Sequence, residues 1–159
     1  MNVSLREIDK NNFLECINLK VAGGQENFVA GNLMSIAQAK IYPTLEIRGV
    51  YAGDEMVGFA MFGFSPVEDK FYLVRLMIDE KHQGKGYGRA AVLAIIERLR
   101  RQPECTEIFL SFVPENKNAE KLYTSVGFER TGETDAKSGE IIMRFLLKSN
   151  GNGRPATNN

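Results

Sequence analysis

Gly84, Gly86 and Gly88 alternate within HQGKGYGRA (82–90), between the apolar run YLVRLMI and a stretch of helical periodicity. Glycine loses more conformational freedom on folding than any other residue, so three at this spacing argue that the backbone itself must approach something. A strand that passes through a glycine-rich turn into a helix makes an anion site. Bare N–H groups and the positive helix end then point the same way. The first chemistry to expect is therefore the binding of a phosphate.

Three phosphate motifs compete for this loop. The P-loop, G-x-x-x-x-G-K-S/T, fails because Gly84-Lys85 is followed by Gly86, which leaves no hydroxyl for magnesium. The dinucleotide fingerprint G-x-G-x-x-G fails because its third glycine position is Arg89. The pattern Q/R-x-x-G-x-G/A is met by Gln83, Gly86 and Gly88. Further along, ENKNAEKLYTSVGF places Asn116, Ala119, Tyr123, Gly127 and Phe128 in the order N-x-x-A-x-x-x-Y-x-x-x-G-F. Periodicity alone puts Tyr123 on an apolar helix face with Ala119, Leu122 and Val126, where it reads as core.

The elements that must position these residues follow from pattern. VSLREI alternates as a first strand, and Asn11 or Asn12 can cap a helix through Leu19. A second helix is expected over Glu26–Ile41, with Val29, Leu33, Ile36 and Ala37 on its apolar face and Pro43 stopping it. TLEIRGVYA and MVGFAMFGF form a hairpin across GDE, and KFYLVRLMI is a third strand. A helix over Gly86–Arg101, the strand TEIFLSFV closed by Pro114, the short helix NAEKLYTSV and the strands GFERTGE and EIIMRFLL complete the chain. The order is βαα-βββ-α-β-α-ββ. It specifies an α/β protein with a mixed sheet flanked by helices.

Composition narrows the function classes. The 159 residues carry 20 Lys+Arg and 20 Asp+Glu, so no global charge points to nucleic acid. Residues 1–148 read as a single domain, and 149–159, polar with Gly and Pro, as a disordered tail. Cys16 and Cys105 sit in apolar runs as reduced core thiols, no Cys/His cluster has metal spacing, and MNVSLREIDK has no signal-peptide core. A cytoplasmic location is expected.

The two motifs, in this order and spacing, resemble motifs A and B of the GNAT superfamily of acetyl-CoA-dependent N-acetyltransferases, over nearly the whole chain. The resemblance implies a fold in which the strand before the loop splays from its neighbour and pantetheine fills the gap. It implies that backbone N–H groups from Gln83 through Gly84, Lys85, Gly86, Tyr87 and Gly88 to Arg89 cradle the CoA pyrophosphate. Lys85 and Arg89 would add charge, and Met77 and Ile78 would offer backbone groups to pantetheine and to the oxyanion. Asn116 would reach pantetheine with its amide or cap its helix.

Tyr123 falls where many members of the superfamily have the tyrosine that protonates the departing CoA sulfur. Many carry a glutamate about where Arg75 stands here, so the base is open: Glu26, Tyr72 or a water wire. His82, the only histidine, reads as a surface residue.

The acceptor would lie under the segment Val21–Pro43. There Gln25, Asn32 and Ser35 form a polar stripe opposite the apolar face. With Phe28, Val29, Ala37, Ala39 and the later RLMID, they resemble bacterial spermine/spermidine acetyltransferases of the multidrug-operon type. That implies a polyamine acceptor, with Glu26 and Glu68 as candidate carboxylates. An aminoglycoside-like antibiotic, a protein amine, and a non-catalytic acyl-CoA sensor are the alternatives. A homodimer is left open.

Overall fold

A computed structural model describes residues 1–28 and 30–148. Val29 and the tail 149–159 lie outside the described residues. Strands β1 (Ser4–Glu7), β2 (Leu45–Ala52), β3 (Glu55–Ser65), β4 (Lys70–Ile78), β5 (Glu107–Phe112), β6 (Glu129–Thr134) and β7 (Ile141–Leu146) form one sheet, ordered β1-β2-β3-β4-β5-β7-β6. Helices α1 (Phe13–Asn18), α2 (Asn32–Ile41), α3 (Tyr87–Leu99) and α4 (Lys117–Val126) cover its faces, with a short 3-10 turn at Glu80–His82. The element order is the one the sequence patterns specify.

One face buries Ala91, Val92, Ile95, Ile96 and Leu99 of α3 against Val50, Phe62, Leu73, Ile108 and Leu110. The other packs α1 and α2, through Cys16, Ile36 and Ala39, on Phe59, Met61 and Met77. Each fully buried large apolar side chain contributes about 1.5–3 kcal/mol. Gly53, at φ 61°, makes the β2–β3 turn. Gly127, at φ 116°, ends α4, and the Phe128 N–H returns to the Tyr123 carbonyl at 3.0 Å. This left-handed C-cap explains the G-F pair. It drops Phe128, 2 % exposed, into the core beside Tyr123.

Two differences from the sequence reading matter for the site. The second helix begins at Asn32 rather than Glu26. Its inward face is mixed: Asn32 and Ser35 are buried beside the half-buried Ile36 and Ala39, while Leu33 is 66 % exposed. The N-cap of α1 is Asn12, but its side chain accepts from Asp9 N–H (2.8 Å) instead of capping the helix.

The sheet changes character at β4. The β3–β4 register passes from Met61 opposite Arg75 to Phe62 opposite Leu73, so Val74 is an unpaired bulge residue. A bulge bends its strand. On the other side, the parallel pairing of β4 with β5 is a single bridge, Tyr72 to Phe109. Past that bridge the two strands diverge.

Candidate active site

The divergence opens a cleft of about 1080 Å³. Its walls include Leu73–Ile78 of β4, Ser111 and Phe112 of β5, the loop residues Gln83, Gly84 and Gly86, and Asn116, Ala119 and Tyr123 around α4.

At one end, Gly84 and Gly86 adopt φ 74° and 85°, which side chains rarely tolerate. A Cβ on Gly84 would meet nothing within 4 Å, and one on Gly86 only Met1 Sδ at 3.5 Å. Both therefore face open space at the start of α3, as a cradle for an anion requires. Gly88 differs. It is helical, and its Cβ would touch Leu122 Cδ2 at 3.4 Å. Gly88 lines the cleft as well, and a side chain there would also meet α4 at Leu122. Lys85 Nζ bonds the Lys81 carbonyl (3.0 Å) at the surface. Tyr87, the first residue of α3, packs edge-on against His82, and Arg89 lines the cleft. His82 is not a surface residue: 13 % of its side chain is exposed, and Nε2 meets Glu55 Oε1 at 3.1 Å.

Gln83 ties the loop to the rest of the site. Its Nε2 donates to Ile78 O (3.0 Å) and to Gln25 Oε1 (2.9 Å). The backbone of β4 alternates between its two sides. Asp79 N–H donates to Val57 O of β3 (2.9 Å). Met77, two residues earlier, therefore also faces β3, while Leu76 and Ile78 turn their peptide groups into the cleft. Met77 thus contributes through its buried side chain, and Leu76 takes the place expected for its backbone. This parity, offset by the bulge at Val74, carries no mark in the sequence.

Tyr123 stands on α4 between Phe112 and Phe128, with ring centroids 6.4 and 5.8 Å away. Burial pushes its phenol up to about 12, so it stays protonated through the neutral range. Asn116 Oδ1 accepts from Ala119 N–H (3.1 Å) and caps α4, which leaves its amide protons on the cleft side. Capping and ligand contact are thus compatible.

The far end of the cleft is acidic. Glu68, between β3 and β4, and Glu140, before β7, both line it. Burial and the charges of Glu68, Asp135 and Glu140 push Tyr72 up to about 12, against an opposing hydrogen bond from Ser111. Ser111 Oγ donates to Glu140 Oε2 (2.7 Å). Glu140 carried no signal in the sequence. It arrives because β7 inserts between β5 and β6.

Of the acceptor residues expected from sequence, Gln25 and Glu68 line the cleft. Glu26 instead accepts from Gly24 N–H (2.8 Å) in its own exposed turn. Asn32 Nδ2 donates to Cys16 O (2.8 Å) and lies 3.7 Å from Met77 Sδ. Ser35 accepts from Arg75 (3.3 Å), whose guanidinium also bonds Gln38 Oε1. Asn32 and Ser35 are therefore interior supports of the site. Arg75 lines the cleft itself. Desolvation lowers its pKa, offset in part by Glu140.

Among solved structures, spermidine N-acetyltransferase from Vibrio cholerae in complex with CoA and spermine superposes with a TM-score of 0.71, at 17 % identity, covering 91 % of this chain and 95 % of that one. The aminoglycoside acetyltransferase AAC(6')-Ib in complex with coenzyme A gives 0.74 at 19 % identity, covering 91 % and 95 %. By sequence, the spermine/spermidine N(1)-acetyltransferase of Bacillus subtilis (strain 168) is 29 % identical over 152 residues, 92 % of this chain and all of that protein. The model of the acetyltransferase (GNAT) family matches residues 26–128, from the turn before α2 through the cradle and Tyr123 to Phe128. The chain belongs to the acetyltransferase (GNAT) family.

Proposed function

We propose that this acetyltransferase moves the acetyl group of acetyl-CoA to a primary amine of a polyamine, spermidine or spermine, by direct attack in a ternary complex. The observation that carries the reading is the cleft itself. It joins an anion cradle at Gly84 and Gly86 to an acidic end at Glu68 and Glu140 through a gap that the single Tyr72–Phe109 bridge leaves open.

The pyrophosphate of acetyl-CoA fits the N–H groups of 83–89, with Lys85 and Arg89 supplying positive charge. Pantetheine fits the gap, where Leu76, Ile78 and the Asn116 amide offer it partners. A peptide N–H of β4 is placed to stabilise the carbonyl oxygen during attack. Tyr123 supplies a proton to the thiolate as the C–S bond breaks. Further ammonium groups of a linear polycation match the carboxylates of Glu68 and Glu140. The likeness to the Bacillus subtilis enzyme along its whole length favours the same acceptor class.

Thiol release from acetyl-CoA, measured across a panel of polyamines, aminoglycosides, N-terminal peptides and lysine, tests this. Spermidine and spermine are expected to give the highest kcat/KM. A preference for an aminoglycoside or a peptide replaces the acceptor. Binding of acetyl-CoA with no thiol release from any amine replaces the enzyme with a sensor.

A further inference from the structure

Arg75 is a half-buried cation with neutral partners. Its guanidinium meets Ser35 Oγ at 3.3 Å, Gln38 Oε1, and Met61 Sδ at 3.5 Å. Among the described residues its guanidinium has no carboxylate within ion-pair distance. This placement is maintained at the cost of desolvation, and the fold supports it from two elements, α2 and β3. Glu140 offsets its desolvation only in part and from beyond pairing distance, and a half-buried guanidinium with no directly paired carboxylate is costly unless its field is used.

Its position says where the field acts. Arg75 follows the bulge at Val74, three residues past the Tyr72–Phe109 bridge. At about 3.3 Å per residue this is about 10 Å along β4 from the acidic end, toward the cradle. Leu76, whose peptide group faces the gap, is the next residue. We infer that Arg75 acts on the acceptor nitrogen by like-charge repulsion, so that the amine enters the reacting end of the cleft neutral while its distal ammonium groups stay charged at the carboxylates. This inference rests on the polyamine reading above.

The chemistry balances without a base residue. The reacting R–NH3⁺ loses its proton to solvent through the cleft mouth, and the neutral nitrogen attacks the thioester carbon. The C–S bond then breaks, the thiolate takes the Tyr123 proton, and the second amine proton passes to the phenolate through cleft water and restores the phenol. A free alkyl amine has a pKa of roughly 10, so only about one molecule in a thousand is neutral at pH 7. A cation a few ångströms away in a partly desolvated site lowers that pKa by about one unit or more, which raises the neutral fraction about tenfold.

Other groups in the cleft titrate elsewhere or oppose the effect. The carboxylates of Glu68 and Glu140 line the far end and hold ammonium there. On β4 and α4, Tyr72 and Tyr123 are both raised to about 12. Tyr42, after α2, also lines the cleft. On the cradle side stand Arg89, Lys121 and His82, the last held against Glu55. A limb from any enzyme group would appear with every acceptor, whereas a limb from the amine moves with the amine.

The test compares wild type with Arg75→Gln and Arg75→Lys. The first readout is proton release when spermidine binds the CoA complex, from calorimetry in buffers of different ionisation enthalpy at pH 9. With the bound amine about one unit below the free value of roughly 10, wild type and Arg75→Lys are expected to release about 0.4 proton from the reacting amine, and Arg75→Gln close to none. The second is the pH profile of kcat at saturating amine, for spermidine and for a fluorinated alkylamine already neutral at pH 7, because kcat reports the bound amine. Arg75→Gln is expected to shift the acidic limb for spermidine upward by about one unit, a loss of about tenfold in kcat at pH 7 that vanishes at high pH. The neutral amine should lose nothing. Acetyl-CoA affinity reports that each variant is folded.

An equal loss at every pH and with both amines would mean that Arg75 stabilises the oxyanion or the fold, and overturns the inference. A loss confined to KM for amines that carry a carboxylate would make Arg75 an anchor, and overturns it too. Failure of spermidine to bind overturns the polyamine reading, whereas binding without proton release overturns this one alone.

Discussion

Tyr72 and Phe109 form the one rung of the β4–β5 ladder, and their rings stack with centroids 6.2 Å apart. Toward the glycine loop the two strands part, and the cleft between them is lined by Leu76, Ile78, Gly84, Gly86 and Tyr123.

The glycines of the loop divide by role, so their substitutions should divide by phenotype. Gly86→Gln puts a side chain into the open cradle, at a φ that resists it. Acetyl-CoA affinity by calorimetry should fall at least about tenfold, with about 1 kcal/mol of stability lost to backbone strain. Gly88→Leu crowds Leu122 instead, and should cost about 1–3 kcal/mol of stability as overpacking. Unchanged acetyl-CoA affinity in Gly86→Gln would remove the loop from the cofactor site.

Tyr123→Phe keeps the ring between Phe112 and Phe128 and removes only the hydroxyl. Positioned proton transfer typically contributes about a hundred- to ten-thousand-fold. Single-turnover acetyl transfer should therefore slow at least about tenfold, water replacing part of the effect, with acetyl-CoA affinity little changed. A single-turnover rate equal to wild type would return Tyr123 to the core.

The carboxylates also divide. Glu68→Gln and Glu140→Gln should each raise KM for spermidine about three- to tenfold and weaken its salt dependence, with acetyl-CoA affinity unchanged. Glu26→Gln should leave KM as it is, because Glu26 binds its own turn rather than the cleft. Steady-state kinetics at two ionic strengths decide it, and the acidic end has no role in the acceptor site if Glu68 and Glu140 both prove neutral.

Alkaline stability follows from four raised groups. Tyr72 and Tyr123 move from 10.0 to about 12, Cys16 from 9.0 to about 12 and Cys105 from 9.0 to about 11, with burial the leading cause in each. The unfolded chain ionises these groups first, so the native state holds more protons between pH 9 and 12. Their contribution is complete below pH 9 and is lost as pH rises through that window. The urea midpoint should therefore decline from pH 9 upward, and the slope should shrink in Tyr72→Phe. A flat midpoint between pH 9 and 11 would contradict the burial of these groups.

Much of the site was legible because its signals are local. The loop advertises itself through glycines that positive φ demands at Gly84 and Gly86, and Tyr123-x-x-x-Gly127-Phe128 is one helix with its C-cap. What was illegible depends on tertiary placement. The inward face of α2 was misread because the rule that apolar residues point inward fails where the interior contains Arg75, which needs Ser35 and Gln38. Glu140 entered the cleft only through the insertion of β7 between β5 and β6. The bulge at Val74, which decides whether Leu76 or Met77 addresses the gap, has no residue-level signature in an otherwise uniform apolar strand.

The single rung at Tyr72 has a mechanical consequence. It makes the sheet two plates, β1–β4 and β5–β7–β6, riveted at one point and otherwise held by the helices. A ligand lying in the seam would bridge Leu76 and Ile78 on one plate to the start of α4 on the other, and so become a structural member. Slow amide exchange should then spread along both lips of the seam at once. The melting temperature should track the acetyl-CoA supply, by about 2.7 kcal/mol when ligand stands a hundredfold above its dissociation constant. A cell that exhausts acetyl-CoA would slow this enzyme and also soften it, so its lifetime against proteolysis is tied to the carbon state that its reaction draws on.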